Sequence, residues 1–218
     1  MHTRFTADSL HLPLADDSID TIITDPPWHF KLRVSPSAKV VKATQYPLIN
    51  DNDLSRHFFE MRRVLKPGGH LFLFCPEQKQ AMAEFQLQMT IMDNSSVRAT
   101  REPQLMRVTS LVWVKTTKDR ETPRIGLGHT VRMAHELILF WSNGRRRPMA
   151  QKNLPSVLGY ARTGGSVKPA ELYERLARAS CAPGGVILDP WCGSDPLGRA
   201  GLTDYTTISS DIQEWEGA

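Results

Sequence analysis

The segment DTIITDPPW, residues 20–28, carries the clearest indication of how this chain folds. Its first five residues form an apolar, β-rich run of the kind found in strands that are buried on both faces. Asp25-Pro26-Pro27-Trp28 follows directly and places a carboxylate, a proline-stiffened backbone and a large aromatic ring at the strand's carboxyl end. Ligands of open parallel sheets bind beyond that end, so a site is expected there.

Similar apolar runs alternate with helical patterns along the rest of the chain. Leu54, Phe58, Met61 and Leu65 share one helical face, and a second helix is expected from Pro169 to just before Pro183. The further strands are predicted at residues 70–74, 111–114, 137–140, 186–188 and 206–209. This alternation predicts an α/β fold with a mostly parallel open sheet flanked by helices.

Composition favours one compact domain over residues 1–218. The chain has 27 Lys and Arg against 23 Asp and Glu, and 40% of its residues are hydrophobic, which excludes collagen-like and wholly disordered classes. No window holds the roughly 18 to 20 apolar residues of a membrane span, and the start lacks the apolar core of a secretory signal, so a cytoplasmic protein is expected. A pI of about 9.1 permits a polyanionic partner.

Metal chemistry has little support in the sequence. Cys75, Cys181 and Cys192 show no metal-ligand or disulfide spacing and are interpreted as reduced packing thiols. His135 and Glu136 are interpreted as structural, because no second histidine follows at helical spacing. No metal is therefore expected.

The residues Asp25 to Trp28 suit a planar amine. An exocyclic amino group on a base is a poor nucleophile, because its lone pair is delocalised into the ring. Hydrogen bonds from its two N–H groups to the Asp25 carboxylate and the Pro26 carbonyl would favour a more tetrahedral nitrogen and stabilise the charge of the attack. Trp28 is predicted to stack on the ring. The tetrapeptide alone is equally compatible with a simple turn after a strand.

A second cluster, LDPWCGS at residues 188–194, also follows a predicted strand. Gly193 would let a ligand approach the backbone, and a helix expected to open at Pro196 would present N–H groups to an anion. Asp211 closes the last strand, where an acidic side chain can bind ribose hydroxyls. The turn, the helix and the acid together indicate a nucleotide-type site.

The order of these motifs resembles the permuted, beta-group amino-methyltransferases, which use S-adenosylmethionine to methylate N6 of adenine. The resemblance spans almost the whole chain, and residues 111–115 and 132–137 also resemble the MT-A70-like branch, which carries Trp after Asp-Pro-Pro. It implies a Rossmann-like methyltransferase fold with circularly permuted motif order. The implied catalytic residues are Asp25, Pro26, Pro27 and Trp28, and the implied cofactor-binding residues are Asp8, Lys168, Asp189, Trp191, Cys192, Gly193, Ser194 and Asp211.

The resemblance also implies which part of the cofactor several of these residues contact. Asp8 would contact the cofactor's adenine, and Asp211 its ribose. Lys168 would lie at a helix start beside the methionine end, and Asp189 near the amino group.

One departure from the family concerns the glycine turn, which usually reads Gly-Ser-Gly but here is Gly193-Ser194-Asp195. The side chain of Asp195 adds a Cβ where the backbone needs positive φ and a negative charge close to the cofactor carboxylate. Impaired cofactor binding is one interpretation. A rearranged, working turn is the other, because Asp tolerates the left-handed region and caps helices well.

Two basic segments, at about residues 29–45 and 142–165, are candidate nucleic-acid contacts. The first carries Lys31, Arg33, Lys39 and Lys42, and the second carries Arg145, Arg146 and Arg147. Taken alone, each segment is equally compatible with a solvated face. Both are predicted to flank the crevice and bind phosphate, with sequence readout left to the second segment or helped by a second subunit or a homodimer.

The sequence therefore predicts an enzyme that transfers a methyl group from S-adenosyl-L-methionine to the N6 amine of adenine in DNA. A target base in duplex DNA would be rotated out of the stack. Two alternatives remain: an RNA N6-adenine methyltransferase, and a cofactor-impaired, methyltransferase-like subunit that binds nucleic acid.

Overall fold

The computed structural model describes residues 1–28, 49–50, 53–92, 105–119, 121–125, 131–162 and 167–213. These residues form β1 (His2–Thr6), β2 (Ile19–Thr24), α1 (Leu54–Val64), β3 (Leu65–Cys75), α2 (Gln80–Met92), β4 (Leu105–Thr116), β5 (His135–Asn143), β6 (Val157–Ala161), α3 (Ala170–Ser180), β7 (Val186–Asp189) and β8 (Thr206–Asp211). Lys31, Arg33, Lys39 and Lys42, with the segment 29–45, lie outside the described residues.

The strands form one eight-stranded sheet in the order β1-β8-β7-β2-β3-β5-β4-β6. Among these strands β5 alone runs antiparallel to its neighbours. The prediction of a mostly parallel sheet is confirmed.

Strands β2 and β7 lie side by side at the centre of the sheet. Thr21 pairs with Ile187 and Ile22 with Leu188. The chain continues from β2 to one side of the sheet and from β7 to the other, so a crevice opens between their carboxyl ends. The loops that begin with Asp25 and follow Asp189 therefore meet at one edge, as their apolar strands predicted.

Helices cover both faces of the sheet. α1 buries Leu54, Phe58 and Met61, which confirms most of the predicted helical face, whereas Leu65 already begins β3. Residues of α1 and α2 belong to one hydrophobic core, and residues of α3 belong to another that also holds Phe72 and Ile187. The longest helix in the described part of the chain has 13 residues, and none there is long and apolar enough to cross a membrane.

Pattern reasoning missed β1, β6 and α2 and overpredicted one helix. β1 and β6 are the two edge strands, whose exposed and polar residues give no buried apolar run. The helix expected to open at Pro196 is wrong, because residues 196–200 form turns. Gly198 and Gly201 disfavour a helix there.

Arg145, Arg146 and Arg147 follow β5 and lie by the amino ends of β2 and β3, whereas Asp25 lies at the carboxyl end of β2. The reversed strand β5 ends where β2 and β3 begin, since Ser142 pairs with His70. The Arg147 guanidinium donates there to the Asp20 carboxylate (Nη1–Oδ1, 2.8 Å) and to the Asp20 carbonyl (2.8 Å). The part of the predicted segment 142–165 that carries these arginines therefore lies away from the crevice, because apolar runs alone do not reveal strand direction. The same segment returns to the carboxyl ends of the strands through β6, which runs parallel to β4 and pairs Ala161 with Thr116.

Candidate functional site

A cavity of about 820 Å³ opens beyond the carboxyl ends of β2 and β7. Its wall brings together nearly all of the predicted catalytic and cofactor residues. They are Asp8, Asp25, Pro26, Pro27, Trp28, Lys168, Trp191, Cys192, Gly193, Ser194 and Asp211.

Asp25 is a half-buried acceptor: one carboxylate oxygen has a hydrogen-bond partner and the other has none in the described structure. Lys168 Nζ lies 2.5 Å from Asp25 Oδ2, while Oδ1 is buried without a hydrogen-bond partner in the described structure. Burial raises the pKa of Asp25 to about 6, although the charge of Lys168 opposes the shift. An amine N–H at Oδ1 would satisfy this oxygen.

Glu136 belongs to the same ion-pair chain. Lys168 Nζ lies 3.4 Å from Glu136 Oε1, and Lys115 Nζ lies 3.3 Å from Glu136 Oε2. The charges thus alternate from Asp25 through Lys168 and Glu136 to Lys115. Sequence reasoning treated Glu136 as structural and missed its place in the cavity wall. Only the antiparallel pairing of Trp113 with Glu136 brings the start of β5 to this edge.

The tryptophan of the first motif is held firmly in the wall. Trp28 is 8% exposed, and its indole Nε1 donates to the Phe74 carbonyl at 3.2 Å. Its backbone N–H donates to the Pro26 carbonyl at 2.8 Å. That carbonyl, predicted to receive an amine N–H, therefore already accepts one hydrogen bond and has a second lone pair left.

The glycine turn is tied to the end of β8. Gly193 N donates to Asp211 Oδ2 at 2.9 Å, and Gln213 N donates to Oδ1 at 3.1 Å. Gly193 has a φ of +45°, and a Cβ on it would meet nothing within 4 Å. Glycine is thus favoured here by conformation rather than by space. Burial raises the pKa of the neighbouring Cys192 thiol, which keeps it protonated and unreactive.

Asp195 adopts the left-handed conformation that the sequence predicted, with φ +53°. Its carboxylate accepts hydrogen bonds from Ser209 Oγ (2.6 Å) and Gly198 N (2.9 Å), and it contacts His2 Nε2 at 3.0 Å. These partners lie toward β1 and β8, and Asp195 is not part of the cavity wall. The expectation that its charge lies beside the cofactor carboxylate stays a prediction, although these bonds hold the carboxylate away from the wall.

Asp189 is also absent from the cavity wall. It is fully buried, and its Oδ1 accepts hydrogen bonds from Thr24 Oγ1 (2.7 Å) and Trp191 N (3.2 Å). Burial raises the pKa of Asp189 to about 7. Through these bonds the side chain links the ends of β2 and β7, and its predicted contact with a cofactor amino group stays a prediction.

Metal ligands do not cluster here. Across the described ranges, no group of three His, Cys, Asp or Glu side chains is arranged to hold a metal ion.

Known proteins resemble this chain in structure rather than in sequence. No protein-family model and no curated protein matches it. M1.HpyAVI in complex with SAM shares 17% identity over 98% of this chain and 94% of that chain, with a TM-score of 0.62. TTHA0409 of Thermus thermophilus is a candidate DNA modification methylase complexed with S-adenosyl-L-methionine. It shares 18% sequence identity with this chain over 98% of this chain and 88% of that chain, with a TM-score of 0.67. The cytosine-N4-specific PvuII DNA methyltransferase shares 15% sequence identity over 97% of this chain and 82% of that chain, with a TM-score of 0.63. The chain therefore has the Rossmann-like methyltransferase fold.

Proposed function

We propose that this chain transfers a methyl group from S-adenosyl-L-methionine to the exocyclic N6 amine of adenine in DNA. The observation that carries the proposal is the convergence of Asp25 and the Gly193 turn on one cavity. An acceptor for an amine and a nucleotide-type turn thus lie within reach of a single pair of reactants. The structural likeness to a DNA methyltransferase and to two proteins bound to S-adenosylmethionine supports the same reaction.

The cavity fits this cofactor. Its volume of about 820 Å³ lies in the ordinary range for small-molecule sites. Asp8 and Asp211 supply carboxylates for amine and hydroxyl groups, and Ser194 supplies a polar group beside the backbone of the glycine turn. S-adenosylmethionine would supply a methyl group that is already electrophilic, so a metal is not needed for activation.

The residues around Asp25 would prepare the amine. Asp25 Oδ1 accepts one N–H, and Lys168 holds the carboxylate in place through Oδ2. The second N–H reaches the remaining lone pair of the Pro26 carbonyl. S-adenosylmethionine would supply the methyl group, with its sulfur keeping the bonding pair, while the amine nitrogen would form the new bond and lose one proton. Asp25 Oδ1, which has no partner among the described residues, could accept that proton.

Other planar amines remain candidates. Cytosine N4 is favoured by the likeness to the cytosine-N4-specific PvuII enzyme. RNA adenine is favoured by the MT-A70-like residues at 111–115. A cofactor-impaired subunit loses support, because the Asp195 carboxylate is satisfied outside the cavity wall.

Methyl transfer to defined nucleic acids tests the proposal. The purified protein is incubated with S-adenosylmethionine and unmethylated duplex DNA or single-stranded RNA, and the digested nucleosides are analysed by mass spectrometry. N6-methyladenine from DNA is expected. N4-methylcytosine as the only product would show that the substrate is cytosine instead of adenine. Methylation of RNA alone would show that the substrate is RNA instead of DNA.

The variant Asp25→Asn tests the site itself. It should abolish transfer yet bind S-adenosylmethionine as the wild type does in calorimetry, because Asn cannot provide the anionic acceptor. Asp204→Asn, whose side chain pairs with Arg178 away from the cavity wall, is the matched control and should retain activity. Wild-type turnover by Asp25→Asn would show that the amine is held elsewhere.

A further inference from the structure

Three side chains in the cavity wall are hydrogen-bonded end to end. Trp191 Nε1 donates to Ser9 Oγ at 2.8 Å, and Ser9 Oγ lies 2.8 Å from His57 Nδ1. The indole and imidazole rings lie 5.6 Å apart, inclined at 59°. All three residues line the cavity on the side of Asp8. Only Trp191 was expected there from the sequence.

The chain of hydrogen bonds has a direction. An indole N–H can only donate, so the Ser9 oxygen accepts from Trp191. Ser9 Oγ has no other side-chain or backbone partner among the described residues, and Ser9 is 5% exposed. Donation from its hydroxyl to His57 Nδ1 is therefore the arrangement that gives both the hydroxyl proton and Nδ1 a partner. A neutral imidazole with a lone pair at Nδ1 carries its proton on Nε2.

The surroundings favour that neutral imidazole. Burial lowers the pKa of His57, Arg56 adds to the effect, and Asp8 and Asp53 oppose it. Nε2 has no hydrogen-bond partner within the described part of the chain. His57 thus presents a fixed N–H donor at the cavity.

We propose that His57 Nε2 donates a hydrogen bond to a ring nitrogen of the cofactor's adenine and so selects an aminopurine. This inference rests on the proposed function and adds a specificity-determining residue to it. Asp8 shares this part of the wall and has one carboxylate oxygen bonded to Leu10 N. Its other oxygen can accept from an exocyclic amino group. An acceptor beside a donor matches the N6 amine and N1 of adenine, whereas a 6-oxopurine presents the opposite pattern at these two positions.

Deaza analogues of S-adenosylhomocysteine test this contact. Calorimetry compares the parent compound with its 1-deaza, 3-deaza and 7-deaza analogues, each lacking one ring nitrogen. The wild type should bind the 1-deaza analogue about fivefold to tenfold more weakly than the parent, which is the effect of one lost hydrogen bond. N1 is the ring acceptor that becomes a donor in a 6-oxopurine, so a loss with the 3-deaza or 7-deaza analogue alone would contradict the proposed selection. His57→Phe should bind the parent weaker by the same factor and no longer distinguish that analogue from it.

Further variants keep the test decisive if Phe disturbs folding. His57→Gln, whose amide can still donate, should restore most of the affinity and the discrimination. Ser9→Ala should reduce the discrimination, because the imidazole then loses the partner that fixes its tautomer. His11→Phe replaces an exposed histidine outside the cavity wall and should change nothing.

Two results would overturn the inference. Equal binding of all three analogues by the wild type would show that no ring nitrogen is read, and unchanged discrimination by His57→Phe would assign the reading to another residue. Both leave the proposed function intact. A folded wild-type protein that binds no S-adenosylhomocysteine would instead refute the proposed function, and the inference with it.

Discussion

Replacing Asp195 by glycine restores the residue usual in the resembling family, and the structure predicts that this change harms the protein. Asp195→Gly removes a carboxylate that binds Ser209 Oγ, Gly198 N and His2 Nε2. These contacts hold the glycine turn against β8 and β1. The variant should therefore lose stability without gaining cofactor affinity.

The expected magnitude follows from those contacts. Three hydrogen bonds at about 1 kcal/mol each contribute about 3 kcal/mol. Glycine adopts the left-handed conformation of residue 195 without strain, which stabilises the folded variant by about 1 kcal/mol. The free energy of unfolding should fall by about 2 kcal/mol, which lowers Tm by about 4 to 8 °C in a chain of this size. Asp195→Asn keeps an acceptor oxygen, so its free energy of unfolding should fall clearly less than that of Asp195→Gly.

Urea denaturation and calorimetry check these expectations together. The Kd for S-adenosylhomocysteine should stay within about threefold of the wild-type value, because Asp195 is outside the cavity wall. A tenfold tighter Kd in Asp195→Gly would show that the carboxylate repels the cofactor after all. A glycine variant as stable as the wild type would show that the three contacts contribute nothing.

Two further predictions concern Asp25 and Arg147. Methyl transfer should fall as the pH is lowered through about 6, because burial raises the pKa of Asp25 to about 6 and only the carboxylate accepts from the amine. In Glu136→Gln the midpoint of the pH–rate profile should move to lower pH, since the negative charge of Glu136 helps to raise that pKa, and an unchanged midpoint would assign the profile to another group. Arg147→Met should lower the free energy of unfolding by about 2 kcal/mol in urea titration, through the lost bonds to Asp20. It should leave the salt dependence of DNA binding unchanged, and a slope reduced by about 1 would instead place a phosphate at Arg147.

The central part of the fold was predictable because its signals are local. The runs before Asp25 and Asp189 are continuous and apolar, which indicates buried strands, and the connection rules of parallel sheets bring their ends together. α1 was predictable from one apolar face. The edge strand β1 has little buried surface, so its pattern resembles that of a loop.

The errors at the site arise from contacts between residues far apart in sequence. Arg147 stands in a basic run that indicates a solvated surface, yet its partner Asp20 lies 127 residues away. Asp189 stands in a motif with an implied cofactor contact, and the motif gives no sign of the hydrogen bond that its carboxylate accepts from Thr24 on the neighbouring strand. Glu136 reaches the cavity only because β5 is reversed.

Because β5 is reversed, the connections before and after it lie at opposite ends of the strands. β4 ends and β5 begins on the rim that carries the cavity, so the first connection joins them there, whereas the second connection joins the end of β5 to the start of β6 on the far rim. Extra sequence grafted into the first connection would reshape what can enter, while a fluorophore or a tether grafted into the second would leave the entrance clear. The far connection is therefore the place to attach a reporter without obstructing the cavity.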